Sequence, residues 1–254
     1  MRQLFDGNHM LNIWLIGFFA VTLIVGIATG YVRARKIQPL GFKWKQFRFE
    51  AMIAIISLAI SGPVITWLTK TWQANGTITF NHEPASWYVV LFEYALYFFG
   101  FDTWFYWLHR WMHNEPMYKW IHKLHHKSTS PNLLTTLSVN PLESFINGGF
   151  VPIFAALYTV HDATMALIVP TNIIMGLYVH TGYEFLPRWW NKSWLTKWFI
   201  TATFHDQHHK FFTGNFGGYT TIWDRVCGTV RPKYDAEWDK VKDRAEGKTA
   251  VPAE

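Results

Sequence analysis

Histidine is the residue type in this chain best placed to do chemistry. His109, His113, His122, His125 and His126 fall within 18 positions and make up five of the chain's twelve histidines. They are spaced HxxxH and then HxxHH. A third box, His205-Asp-Gln-His208-His209, repeats the HxxHH spacing far along the chain. On an α-helix, residues three or four apart share one face. His109 and His113 can therefore aim two imidazoles at one point, and His122 can do the same with His125 and His126. In such a box the adjacent pair diverges enough to serve two neighbouring ions. Neutral imidazole is the commonest protein metal ligand and suits zinc, iron, copper and nickel. A zinc ion takes about four ligands. The eight histidines of the three boxes are more than one ion can use, which predicts two metals. A basic helix facing nucleic acid or an interface, with incidental histidines, is the plainer alternative. The same spacing occurring twice argues against it.

The elements that must carry these boxes read as membrane helices. The chain has 254 residues, 50% apolar and 19% aromatic, with 15 tryptophans. That aromatic content fits belts at a membrane–water interface. The net charge of +6 is better explained by cytoplasmic Lys and Arg than by nucleic-acid binding, and no nucleic acid is expected. Cys227 is the only cysteine, which excludes a disulfide framework and a cysteine-ligated zinc or iron–sulfur site. Met10 to Tyr31 is free of charge and long enough to cross the bilayer. A signal peptide is the rival reading, but the apolar run is too long and no A-x-A site follows it.

Residues 32–50 are basic, which marks a cytoplasmic loop, and the aromatics among them suggest an interfacial segment. Ala51 to Leu68 is a second span with a kink expected at Gly62-Pro63. Trp87 to Leu108 is a third and runs straight into His109. Two acids lie inside it, Glu93 and Asp102, each expected to face a protein partner or a functional site. Asp102, Tyr106, His109 and His113 share one helix face, and Asp102 is read as the acceptor that orients a ligand histidine. A buried, hydrogen-bonded core residue is the alternative for Asp102. Pro116 ends that helix, and a new helix from about Met117 carries the second box.

Residues 128–143 form a loop over the cytoplasmic face. Phe145 to Val160 and Ala163 to Val179 make an apolar pair joined by His161-Asp162, short enough to read as a hairpin that enters and returns. His180 then emerges beside the boxes. His161 is a weaker candidate ligand, and His9 and His82 fall on the far side of the membrane. Residues 187–204 read as an amphipathic interfacial helix, and the tail from Asp235 as a solvated helix or coil.

The expected fold is all-α: an integral membrane bundle of about four spans, capped by a cytoplasmic histidine-rich helical domain. The expected division is residues 1–108 as transmembrane helices, 109–234 as a cytoplasmic di-metal region with a membrane hairpin at about 145–180, and 235–254 as a charged tail.

From Asp102 to Thr229 the chain resembles the fatty acid hydroxylase/sterol desaturase superfamily of integral-membrane di-iron enzymes. The resemblance runs through Asp102-x3-Tyr106-x2-His109-Arg110-x2-His113 and His122-Lys123-x-His125-His126. It continues through Pro141-Leu142-Glu143, His180-Thr-Gly-Tyr183 and His205-x2-His208-His209. It ends in Asn215-Phe-Gly217 and Trp223-Asp224-x3-Gly228-Thr229. It implies two irons held by the box histidines and His180, with Asp102, Tyr106, Asn140 and Glu143 in the catalytic site. It further implies O2, an external electron donor, and hydroxylation or desaturation of an unactivated C–H bond in a lipid. Many members have His before the Pro-x-Glu; this chain has Asn140, whose role is open.

An alkyl C–H has no acidic proton, so a metal–oxygen cofactor must carry the hard step. Neither a dinucleotide fingerprint nor a haem motif is visible, so the reductant is expected to be another protein, cytochrome b5-like or a ferredoxin with its reductase. A multi-pass protein of the bacterial inner membrane or the endoplasmic reticulum is expected, with a cytoplasmic active site. A desaturase, a zinc-dependent membrane hydrolase and a metal transporter are the competing functions. A transporter would spread its ligands across the spans, whereas these histidines gather at one face.

Overall fold

The computed structural model describes residues 33–38, 41 and 43–249. The first expected span, Met10 to Tyr31, and His9 lie outside the described residues. What is described is mostly helical. Helix α1 (Trp44–Ala74) is a 31-residue run that starts inside the expected basic loop and passes through Pro63. Helix α2 (Trp87–Met112) follows. Two short apolar helices, α3 (Pro141–Gly148) and α4 (Phe150–Leu157), lead to α5 (Asp162–Val179). Helix α6 (Ala202–Phe211) carries the third histidine box, and α7 (Ile222–Val226) and α8 (Tyr234–Ala245) close the chain. Two residue pairs, β1 (Phe80–Asn81) and β2 (Val160–His161), join in parallel at one end of the bundle.

Two of these helices, α1 and α5, are long and apolar enough to cross a membrane. Only 17% of each apolar window is buried against protein. Along α1, Ile55 and Trp67 are 69% and 66% exposed, with Met52, Leu58, Ile60 and Val64 beside them. A core helix of a water-soluble domain would have covered such a face; an uncovered one of this extent marks a surface that meets lipid or protein. Helix α2 also turns large apolar residues outward, including Trp87, Leu91, Phe92 and Phe99.

The inner faces pack through aromatics and a few polar bridges. Tyr97, Phe101, Phe154, Val160, Ile168 and Tyr219 form the main cluster between α2, α4 and α5. Tyr94 meets Thr171 at 2.8 Å, and Ser61 of α1 meets Ser144 of α3 at 2.8 Å. Glu93, fully buried, is held by Thr164, His161 Nδ1 and the His161 amide, so the acid finds its partners on α5 and β2.

Three local expectations change. The second histidine box does not lie on a regular α-helix: Tyr118–His122 is a π-turn and His125–Lys127 a 3₁₀ turn, reached through a cis Glu115–Pro116 bond. Residues 187–201 are turns with one 3₁₀ turn at Thr196–Trp198, not an amphipathic helix. There, side chains compete for backbone groups: Thr196 Oγ1 donates to the Trp190 carbonyl and Trp198 Nε1 to that of Trp194.

Finally, α8 is not merely solvated. Tyr234, Trp238 and Val241 recur at helical spacing and are buried against Phe204, Ala202 and Ile37. Arg188 braces its outer side through Asp239, Asp243 and Glu246.

Candidate metal centre

Four segments converge at the C-terminal end of α2. His109 is on its last turn and His113 caps it. The π and 3₁₀ turns bring His122, His125 and His126 back over it. His180 caps α5. Thr201 caps α6 with its hydroxyl on the Phe204 amide, and the helix presents His205, His208 and His209. All nine histidines gather in two groups. His109, His113, His122, His126 and His208 form one, and His125, His180, His205 and His209 the other. Ligand atoms within each group lie within 4.8 Å of one another. The adjacent pairs divide: His126 joins the first group and His125 the second, as do His208 and His209. The His208 and His209 rings stand at 87° to each other.

The outer ring nitrogens define which nitrogen faces inward. His109 Nδ1 meets the Phe216 carbonyl at 2.8 Å, and His208 Nδ1 that of Gly214 at 2.8 Å. His180 Nδ1 meets the Gly176 carbonyl at 2.8 Å and His209 Nδ1 that of Ser128 at 3.0 Å. His122 Nδ1 meets Glu143 Oε1 at 2.8 Å. A carbonyl only accepts, so the Nδ1 atoms of His109, His180, His208 and His209 carry the hydrogen and donate it. In a neutral imidazole the Nε2 is then bare. Glu143, which burial raises well above the ordinary carboxylate value, accepts from His122 only in its ionised form.

Two bare Nε2 atoms nevertheless face each other in the second group, His180 and His209 at 3.2 Å, and the bare Nε2 of His109 faces that of His122 at 3.0 Å in the first. No proton is left to join the His180–His209 pair. Two nitrogens roughly 2.1 Å from a common ion, at a right angle, are about 3.0 Å apart. The other inward separations fall between 2.9 and 3.2 Å as well. The geometry and the tautomers fit one cation in each group.

The electrostatics agree. Burial first, and then the neighbouring imidazoles, hold His122, His125, His205, His208 and His209 well below the ordinary histidine value. Burial and His109 lower His113 to about 2, and burial lowers His180 to about 4. The rings are thus neutral and ready to ligate at neutral pH.

The remaining expected site residues take other places. Asp102 does not touch a histidine. Its carboxylate accepts from the Tyr219 and Thr220 amides at 2.9 and 2.8 Å and from the Thr220 hydroxyl, so it anchors the loop after α6. The acceptor that orients a ligand ring is Glu143. The Tyr106 hydroxyl bonds Thr229 and Arg110, and its ring packs on Trp223 and Phe216, away from the ring nitrogens. Asn140 caps α3 by accepting from the Leu142 amide and donates to the Trp120 carbonyl, which ties α3 to the turn carrying His122. Pro141 at the first helical position and Glu143 in the first turn complete an ordinary helix start. His161 Nδ1 bonds Glu93, and His82 bonds Asp162; neither is near the groups.

Residue types alone did not single out Asp224. It accepts from the Phe216 and Gly217 amides and from the Thr229 hydroxyl, and so fixes the carbonyl that orients His109.

A cavity of about 320 Å³ opens onto both groups. His109 and His122 of the first group and His125, His180 and His205 of the second form its polar end. Phe101, Phe105, Leu137, Val139, Ile173 and Leu177 make much of the rest apolar. Gly176 lets α5 pack closely on the Thr136 turn at the cavity wall, since a Cβ there would lie 2.8 Å from the Thr136 methyl.

Residues 94–229 match the fatty acid hydroxylase family model. The chain belongs to this family. The C-4 methylsterol oxidase of Schizosaccharomyces pombe is 30% identical over 236 residues, 85% of this chain and 76% of that protein. Methylsterol monooxygenase 1 of Gallus gallus is 31% identical over 189 residues, 65% of this chain and 62% of that protein. The Danio rerio enzyme of the same name is 38% identical over 128 residues, 50% of this chain and 43% of that protein. No solved structure matches the chain. As a fatty acid hydroxylase family member with such relatives, the chain is an oxygenase, and its histidine groups could bind metal.

Proposed function

We propose that the chain is a membrane-bound di-iron monooxygenase that uses O2 to hydroxylate an unactivated C–H bond of a lipid, and that the lipid is a methylsterol or a molecule of similar shape. The observation that carries the reading is the contact of two bare Nε2 atoms, His180 and His209, with the same close spacing at His109–His122 in the other group. The five imidazoles of the first group exceed the roughly four ligands of a structural zinc site, whereas an octahedral ion of about six ligands would keep an open position in each group. The methylsterol oxidase and monooxygenase relatives favour iron over the other metals that imidazole accepts. Bound at these groups, a pair of irons would supply the oxidising power that an alkyl C–H demands.

The chain's own residues do the rest. Glu143 hydrogen-bonds the Nδ1 of His122, and four backbone carbonyls accept from the Nδ1–H groups of His109, His180, His208 and His209, so the ring orientations are set before metal arrives. The apolar wall of the cavity excludes water and holds hydrocarbon against the polar end. Electrons come from a separate protein, cytochrome b5-like or a ferredoxin with its reductase. In the same reading the chain has about four spans and a cytoplasmic catalytic cap. Residues 1–108 form the N-terminal membrane part, 109–234 the catalytic region and 235–254 the tail. The exposed Trp189 and Trp194 support an interfacial position for the turns before α6.

Desaturation would use the same histidines. Purified protein loaded with iron should carry two irons per chain and, with O2 and a reductase system, add one oxygen atom to a 4-methyl sterol by mass spectrometry. Zinc alone, with a product that forms without O2, would overturn the reading in favour of a hydrolase. Loss of two hydrogens without oxygen gain would make the chain a desaturase.

A further inference from the structure

Two buried side-chain oxygens on the cavity wall have no hydrogen-bond partner: Glu143 Oε2 and Asn147 Oδ1. They stand one turn apart on one face of α3. The other oxygen of Glu143 is occupied by His122. Buried polar atoms are paired almost everywhere in proteins, so an unpaired one on a cavity wall points to a ligand. The neighbouring polar groups give the contrast. Asn172, on the same cavity, accepts from the Tyr97 and Tyr219 hydroxyls and donates to Tyr97. Ser144 is bonded to Ser61, and Thr136 to the Gly176 carbonyl. Those groups are engaged by the protein itself, and the Asn147 oxygen is not. A hydrocarbon chain offers it nothing. An ether, ester or ketone has no O–H to give it. An alcohol donates to the amide oxygen and can accept from the amide nitrogen.

We propose that Asn147, with Glu143 beside it, binds a hydroxyl group carried by the lipid substrate, at the end of the molecule that is oxidised. The inference rests on the lipid-oxygenase reading above. Glu143 touches the first histidine group through His122, so a hydroxyl held here lies at the metal end of the cavity. The substrate class is then a neutral lipid alcohol that enters polar end first. A 4-methyl sterol meets the description, because its hydroxyl is on the carbon next to C-4. A fatty acyl chain oxidised far from its headgroup does not, since it would press methylene against Asn147.

The test uses the full chain in detergent, loaded with iron, with a radiolabelled 4,4-dimethyl sterol as probe. Its free alcohol and its 3-O-methyl ether compete for binding, and products are read by mass spectrometry in the same samples. The wild type should prefer the alcohol by at least tenfold. Asn147→Leu, of similar size, should bind alcohol and ether equally with its iron content unchanged, and Asn147→Asp, which keeps the acceptor, should retain the preference. Equal binding by the wild type, or a tenfold preference that survives in Asn147→Leu, overturns the proposal. If the wild type oxidises the sterol yet binds both forms equally, the oxygenase reading stands and this one falls. If the alcohol is preferred but no O2-dependent product forms, the hydroxyl site stands and the oxygenase reading falls.

Discussion

His180 and His209 present bare nitrogens to each other at 3.2 Å, an arrangement that costs energy until a cation lies between them. His125 and His208 belong to different groups, so their removal separates the two metals. His125→Ala and His208→Ala should each abolish product and lower the iron content, to about one per chain, while the protein stays folded and inserted; metal analysis beside product detection checks this. Glu143→Gln keeps an acceptor for His122 Nδ1 but cannot ionise when a cation binds. It should weaken metal retention by roughly ten- to a hundredfold in a chelator challenge, since partners of ligand histidines typically matter to that extent. At this scale the chain was legible where type and spacing carry the meaning, as for the eight box histidines, whereas His180 stands alone in the sequence and entered as a ligand only through the family resemblance. It was not legible for Asp102, whose partners Tyr219 and Thr220 are backbone amides more than a hundred residues away. A carboxylate on a histidine face reads as the ring's partner, although a loop from elsewhere has claimed it.

The loop from Gly214 to Thr220 is the element on which the first group depends. Its carbonyls orient His208 and His109, and two buried acids, Asp224 and Asp102, hold its amides. Gly217 permits this closeness: a Cβ there would lie 2.2 Å from the Thr220 carbonyl oxygen. Gly217→Ala should therefore destabilise the protein by about 1–3 kcal/mol, within the range of backbone clashes and broken buried bonds, and should also lower iron content, as seen by thermal unfolding beside metal analysis. The helices α1 and α2 could be anticipated because long apolar runs state them, whereas α5 was expected as one arm of a hairpin and is instead a single 18-residue helix preceded by two short ones, α3 and α4. The second box could not be anticipated, because its π and 3₁₀ turns are imposed by docking against α2 and α3, whereas a spacing of three and four reads as α-helix. The turns at 187–201 misled for a related reason: tryptophans and lysines at a membrane surface do not require a helix to place them.

The whole molecule buries an unusual number of neutral imidazoles in one place, and its acid stability follows from that. His113, His122, His125, His126, His180, His205, His208 and His209 are all held below the ordinary value, mainly by burial. As pH falls through about 6.5, the unfolded chain takes up protons that the folded chain refuses. Metal-free protein should therefore be fully stable above that pH and lose stability progressively below it. The expected loss is at most about 1.4 kcal/mol per pH unit for each histidine. Denaturant midpoints between pH 7.5 and 5.5 measure the slope, and iron-loaded protein should resist longer because the metal competes with the protons.

Neither histidine group is confined to one half of the chain. The first needs His208 from α6 to join four ligands that precede it, and the second takes two of its four ligands from α6. On the proposed reading, a nascent polypeptide emerging from the ribosome would pass its membrane helices into the bilayer long before either ion had its full set of ligands. Iron delivery would then be a late event of biogenesis, and a product cut short before α6 should insert yet remain catalytically empty.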